Sequence, residues 1–396
     1  MDSILRYSRR VLANTPTHFV RYLYDMIEFD ARLIIIKGCR GVGKTTLFNQ
    51  FLLDTKAPEK CFYLSLDHLY FTDHKLLYTI ESLYTAGYRY FVIDEVHKYQ
   101  DWSIEIKNLY DMYNDVKLLV TASSALNIRT SSGDLSRRAD NYDLHGLSYR
   151  EYLNFTKGVN LPQLTLSDIL EDHKSIISDL NVDINIEKTF QTYLARGYYP
   201  FFKEAGKKYH DRVASLVNQV IEVDLPPIFN VDYAAIRQIK KLLSLISRIA
   251  PFTPNIAKLA RDLEMSRNSL LQYIDFLDQA GLINTLKSNK KSDSVFAKPD
   301  KIYLENTNIA HAVAISGVSI GTARETFVRN TLSVMHDCAT PAAGDVMVDD
   351  SYVFEIGGRS KTFKQILNVP NAYLIKDIYT DDGSEAIPMW LLGMLY

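Results

Sequence analysis

The sequence predicts an α/β chain: a parallel three-layer sheet over residues 1 to about 155, then a helical stretch, and a small mixed α/β segment at the end. Three observations predict it. An apolar β-run, Leu33 to Ile36, passes through a glycine loop into a helical run. A second apolar run, Tyr90 to Ile93, ends in Asp94-Glu95, and strand-like and helix-like runs alternate around both. Beyond Thr253, two amphipathic helices with a tight break between them lead into another β-run.

At 396 residues the chain exceeds one ordinary core, so two to four domains are expected. Hydrophobic residues at 47% and charged residues at 23% are globular proportions and exclude a long disordered or collagenous segment. The net charge of -2 gives no global positive field, so any nucleic-acid contact must come from a local patch. Three widely spaced cysteines, Cys39, Cys61 and Cys338, form neither a zinc spacing nor a disulfide framework, which fits a reducing cytoplasm. No segment approaches the roughly 18 consecutive apolar residues of a membrane span, and no long apolar run opens the chain. A soluble, unexported protein is expected.

The first β-run leads into Gly38-Cys39-Arg40-Gly41-Val42-Gly43-Lys44-Thr45-Thr46 and then the helical "TLFNQFLLD", which is G-x-x-x-x-G-K-[ST] between a strand and a helix. Glycines let the backbone curl so that its N–H groups face phosphate oxygens, and the helix N-terminus adds a favourable dipole. Lys44 is placed to reach the β- and γ-phosphates, and the Thr45 hydroxyl to hold Mg²⁺. The ligand expected is ATP with Mg²⁺. The second β-run supplies the remaining hydrolytic chemistry: Asp94 to position Mg²⁺ through its water and Glu95 to orient or deprotonate the attacking water.

Two further β-runs, "CFYLSLDH" and "VKLLVTASS", complete the sheet, with ligand at the carboxyl ends of its strands. Ser123, ending the latter, is either a sensor of the γ-phosphate or attacking water, or an ordinary strand-end turn residue. Arg137 and Arg138 are a solvated pair or contain an arginine that stabilises the transferring phosphoryl group, in cis or from a neighbouring subunit. His97 reads as structural.

From Leu161 to Asp232 the pattern is helical, interrupted by "ARGYYPFF". Then Thr253 as N-cap with Pro254 at the first position opens a helix with Ile256, Leu259, Ala260 and Leu263 on one face. Ser266 caps the next, with Leu270, Ile274 and Leu277 inward, and a β-run from Leu282 to Leu286 follows. This is a helix-turn-helix with a wing. If the module binds DNA, Arg267, Asn268 and Gln272 suit base edges or phosphates, and Lys287, Lys290, Lys291, Lys298 and Lys301 suit phosphates. Such a module serves equally as a protein-docking or hinge element.

In the last segment Glu325 lies on a helical run, and Asp345 and Glu355 lie on two short β-runs. Three carboxylates so placed can hold Mg²⁺ beside a phosphodiester, although acidic residues at strand ends are common.

The order "GCRGVGKTT", "YLSLDH", "FVIDEVHKYQDW", "LLVTASS", "LHGLSYREYL", "ARGYYP", "IAKLARDLEMSRNSLLQYIDFLDQAGLI", "KIYLENT", "RETFVRN" and "AIPMWLLG" resembles prokaryotic AAA+ (ASCE-type) P-loop ATPases that carry a winged helix and a C-terminal PD-(D/E)XK nuclease-like domain. The resemblance spans nearly the whole chain. It implies a P-loop NTPase sheet (1–155), a helical connector (156–235), a winged helix (236–300) and a restriction-endonuclease-like domain (301–396). It implies nucleotide contacts from Gly38 to Thr46, Mg²⁺ at Thr45 and Asp94, and hydrolysis through Glu95 with Lys44. The family's Gly-Arg arginine falls on Arg138, with Arg137 in the glycine's place. Glu325, Asp345 and Glu355 match the nuclease positions, but Gly357 stands where the E-x-K lysine belongs, leaving Arg359 or Lys361 to substitute, or a binding or structural relic. The implied function is an ATP-dependent switch coupled to a DNA-binding winged helix. The alternatives are an ATP-gated protein-interaction switch and an active Mg²⁺-dependent nuclease.

Overall fold

The computed structural model describes residues 1–124, 135, 137–179, 184–287, 298–314, 317–380 and 383–396. Two compact units are formed: Met1–Gly146 with Glu222–Val231, and Leu147–Ile221 with Asp232–Tyr396.

The amino-terminal unit is built on five strands, β1 (Leu33–Gly38), β2 (Cys61–Ser65), β3 (Tyr90–Asp94), β4 (Lys117–Ser123) and β5 (Asp140–Asp143), in the order β2-β3-β4-β1-β5. All four pairings are parallel. Parallel strands need crossovers, and the helices Lys44–Asp54, Leu76–Thr85 and Trp102–Met112 supply them. Leu33, Ile34, Ile35 and Ile36 are all fully buried, so β1 is covered on both faces, which is why it reads as an unbroken apolar run. This is the P-loop NTPase α/β fold, and it brings the carboxyl ends of β1, β3 and β4 together.

In the second unit, the helix Tyr149–Lys157 starts with a capping box between Ser148 and Glu151 and ends at Gly158 in the left-handed region. Further on, the helices Ile256–Asp262 and Arg267–Gln279 precede the antiparallel pair β6 (Ile283–Leu286) and β7 (Lys301–Leu304). The residues expected to face inward, Ile256, Leu259, Ala260, Leu263, Leu270, Ile274 and Leu277, are all buried. The final segment carries β8 (Cys338–Ala339), β9 (Val346–Val348), β10 (Tyr352–Gly357), β11 (Ala372–Lys376) and β12 (Ile387–Pro388), in the order β12-β11-β10-β9-β8. β10 pairs in parallel with β11 and antiparallel with β9, and the helix Ile320–Met335 packs on β10.

The observed units and elements differ from the expected ones in three ways. Residues 147–155 belong with the second unit, because the Ser148 hydroxyl and Arg150 both donate to the Tyr396 carbonyl. A boundary at 300 would cut the β6–β7 hairpin, whose register pairs Leu286 with Lys301. The first of the helix pair is capped by Asn255, whose side chain accepts from Lys258 N–H at 3.0 Å, not by Thr253. Thr253 precedes a proline, which disfavours helical geometry there, and Phe252 forms an extended bridge to Ile302. Among the described residues, no helix is long and apolar enough to cross a membrane.

Candidate functional site

The loop after β1 is shaped by contacts that tolerate only glycine at its start. A Cβ on Gly38 would lie 2.2 Å from the Leu144 carbonyl oxygen. Gly43, at φ 101°, turns the chain into the helix that begins at Lys44. Val42 is fully buried and pins the loop, and its carbonyl accepts from Arg21. The same guanidinium donates to the His145 and Gly146 carbonyls at 2.8 Å each, so one buried arginine braces the loop against the chain leaving β5.

Lys44 is buried, and its ammonium donates to the Gly38 and Cys39 carbonyls at 2.7 and 3.0 Å. Burial lowers its pKa, and the charges of Glu95 and Asp94 offset part of that shift. Cys39, Arg40, Thr45 and Thr46 are half-buried around the loop and Gly41 is exposed.

At the end of β3, Asp94 is buried and takes three hydroxyl donors: Thr45 Oγ1 at 2.8 Å, Tyr63 Oη at 2.7 Å, and Thr121 Oγ1. Burial, then the neighbouring charge of Glu95, push its carboxyl above the usual carboxylate range, and the three donors oppose them. Glu95 sits in the left-handed region at φ 59°, uncommon for a non-glycine residue, with its N–H donating to Thr121 Oγ1 at 3.1 Å. Its carboxylate lies 3.4 Å from Arg40 Nη1, 3.4 Å from Lys98 Nζ and 3.6 Å from His97 Nε2. Ser123 ends β4 in register with Gly38, and its N–H donates to His97 Nδ1 at 3.3 Å. Lys44, Thr45, Asp94, Glu95 and Ser123 are therefore assembled at one edge of the sheet.

Arg138 is elsewhere. It precedes β5, which begins in register with Ile34, so it lies at the opposite end of the sheet from the loop. Its guanidinium is bidentate to Asp111 at 2.9 and 3.2 Å. This placement sets Arg138 about a strand's length from the loop after β1, and Arg137 is exposed.

Of the acidic positions in the last segment, Glu325 and Asp345 share Lys301, at 2.6 and 3.9 Å from its amine. This corrects the expectation that Lys301 faces phosphates. Burial depresses its pKa, but Tyr303 and Glu325 outweigh that and hold it raised, hence charged. Glu355 is buried and paired with Lys361 instead. A Cβ on Gly357 would lie 2.3 Å from Lys361 Cγ, so the stem of Lys361 fills the room where a side chain at 357 would begin. Arg359 pairs with Glu187 at 3.0 Å. Among the described residues, no group of three or more His, Cys, Asp or Glu side chains is arranged to hold a metal ion.

Arg267 and Asn268 are exposed at the start of their helix, Gln272 is half-buried, and Lys287 and Lys298 are exposed. Lys290 and Lys291 lie outside the described residues.

Sequence reasoning missed Arg21, Tyr63, Thr121, Lys98 and Asp224. The last is 2% exposed, and its Oδ1 lies 3.4 Å from Arg40 Nη1 although 184 residues separate them. Only Tyr63 carried a signal, as a polar-tipped residue in the "CFYLSLDH" strand beside β3.

Residues 30–153 match a family described as "AAA domain", and residues 187–319 match one described as "Domain of unknown function (DUF8612)". The uncharacterized protein MJ1637 of Methanocaldococcus jannaschii is 26% identical over 406 aligned residues, covering 90% of this chain and 85% of that one. Among solved structures, AMPPCP-bound DnaA from Aquifex aeolicus is 12% identical with a TM-score of 0.28, covering 70% of this chain and 88% of that one. PCH-2 from C. elegans is 15% identical with a TM-score of 0.27, covering 70% and 66%.

Proposed function

We propose that this chain, whose amino-terminal unit is an AAA-type P-loop nucleotide-binding domain, hydrolyses ATP and uses the nucleotide state to control a DNA-binding winged helix. The observation that carries the ATPase reading is the hydrogen bond of Thr45 to Asp94 beside Lys44, with Glu95 next in the chain. Lys44 donates to the loop's own Gly38 and Cys39 carbonyls, and phosphate oxygens are stronger acceptors for a charged amine. Backbone N–H groups of Gly41 to Thr45 and the start of the helix Lys44–Asp54 hold the phosphates. Two oxygen donors in contact, a hydroxyl and a carboxylate, fit Mg²⁺, which keeps several waters and takes the rest of its shell from phosphate. Mg²⁺ held by Thr45 and Asp94 would neutralise charge on the phosphates. Glu95 orients the attacking water, Ser123 lies beside Gly38 to sense it, and Arg138 acts on a neighbouring subunit or not at all.

For the winged helix, the support is the exposed Arg267 and Asn268 at the head of the second helix, followed by the β6–β7 hairpin. The nuclease-like segment reads as a binding or structural element, because lysines of the chain already neutralise its three carboxylates. The same neutralisation of Lys301 favours the second reading, a winged helix that docks protein.

The test is ATP turnover with and without duplex DNA for the wild type and Lys44→Ala. Turnover that DNA alters, and that falls roughly a hundredfold or more in Lys44→Ala, is expected. Turnover indifferent to DNA leaves the protein-docking reading, and none at all removes the ATPase.

A further inference from the structure

Glu95 shares two of its neighbours with a second carboxylate. Arg40 Nη1 lies 3.4 Å from both Glu95 and Asp224, and His97 Nε2 lies 3.6 Å from Glu95 and 3.7 Å from Asp224. The side chains of His97 and Asp224 are each 2% exposed, and His97 Nε2 has no hydrogen-bond partner. Because Ser123 N–H donates to Nδ1, the neutral ring carries its proton on Nε2, facing both carboxylates. A buried donor poised between two acceptors closes on one of them when the site tightens around its ligand.

Asp224 arrives by an unusual route. Glu222–Val231 belongs to the amino-terminal unit, while the residues on either side of it belong to the other. Asp224 ends a π-helical turn, Val220–Asp224, and stands at the N-cap of the helix Leu225–Phe229. π-Turns are rare and concentrate at functional sites. Leu225 is fully buried and Ile228 packs against the core under the sheet, which seats the segment.

Arg40 and His97 Nε2–H thus face Glu95 from positions that a second, buried carboxylate also holds. We propose that Asp224 is a positioning residue that fixes Arg40 and His97 Nε2–H beside the Glu95 carboxylate and so sets that carboxylate's direction. ATP turnover then depends on the seating of segment 222–231. The inference rests on the ATPase reading above and assigns that site its control.

The test compares Asp224→Asn with the wild-type full chain. The expected result is a kcat lower by about tenfold or more, with KM and the affinity for a fluorescent ATP analogue within about twofold. Asp224→Asn made in a His97→Ala background costs less than it does in the wild type, because one of the two groups that Asp224 positions is already gone. Without nucleotide, amide exchange at Leu225, Ile228 and Phe229 is faster in Asp224→Asn than in the wild type. Asp224→Ser, which keeps a short polar side chain without the charge, gives the same split if the Asn variant loses analogue binding. Wild-type kcat in both variants overturns the inference and leaves the ATPase standing. A wild type that binds the analogue without turning over ATP overturns both.

Discussion

Replacing Glu305 with glutamine is expected to remove a pH dependence that the wild-type second unit carries. Glu305 is 7% exposed, and its carboxylate accepts from Asn284 Nδ2 at 3.3 Å and Asn330 Nδ2 at 3.2 Å. Burial, then the charge of Asp278, push its pKa from 4.5 up to about 8, and Arg329 and Asn284 only partly oppose them. The folded unit therefore keeps the proton that the unfolded chain loses above about pH 4.5. Stability contributed by the protonated form is complete below that pH and is lost as pH rises through the folded value near 8. The slope in this window is at most ~1.4 kcal/mol per pH unit, a ceiling on the order of 5 kcal/mol across it. Glutamine keeps the shape and does not titrate. Because the chain has two units and a single unfolding transition is not assured, the assay is hydrogen exchange of amides in β6 and β7 at pH 5, 6, 7 and 8, corrected for intrinsic rates. Protection should decline with pH in the wild type and stay nearly level in Glu305→Gln. Level wild-type protection, or equal decline in both proteins, would refute the argument.

Three further outcomes follow from the nucleotide site. Gly38→Ala places a methyl group against the Leu144 carbonyl, so ATP-analogue binding should fall at least tenfold (order of magnitude). Tyr63→Phe removes one of three donors from the buried Asp94 and should lower unfolding stability of the amino-terminal unit by ~1–3 kcal/mol in denaturant titration. Arg21→Ala takes its guanidinium from the Val42, His145 and Gly146 carbonyls, contacts that brace the loop, and should weaken analogue binding more than it changes the Mg²⁺ dependence of binding.

The legible parts of this chain are those whose physics is local. A fully buried parallel strand shows as an apolar run, a phosphate loop as spaced glycines before Lys44, and an amphipathic helix as the spacing of Leu270, Ile274 and Leu277. Ser266 was readable as a cap because its hydroxyl bonds Ser269 N–H three residues on. Thr253 looked equally good, but Asn255 two residues later satisfies the same orphan donors and the proline between them prevents an earlier start. Contacts made across the fold left no mark. Nothing near Arg21 announces three distant carbonyls, nothing near Asp224 announces Arg40, and nothing in the order of segments shows that Arg138 lies at the far end of the sheet. Gly357 left Arg359 and Lys361 as equal candidates in the sequence, and only contacts across the fold separate them: Lys361 pairs with Glu355 and Arg359 with Glu187.

The central claim is coupling between nucleotide state and DNA. It is tested most directly by the salt-dependent affinity of Glu95→Gln for duplex DNA, with saturating ATP and with no nucleotide. The account predicts affinities that differ by about fivefold or more, the least a working allosteric coupling supplies. Equal affinities in the two states, or no salt-dependent binding in either, would contradict it.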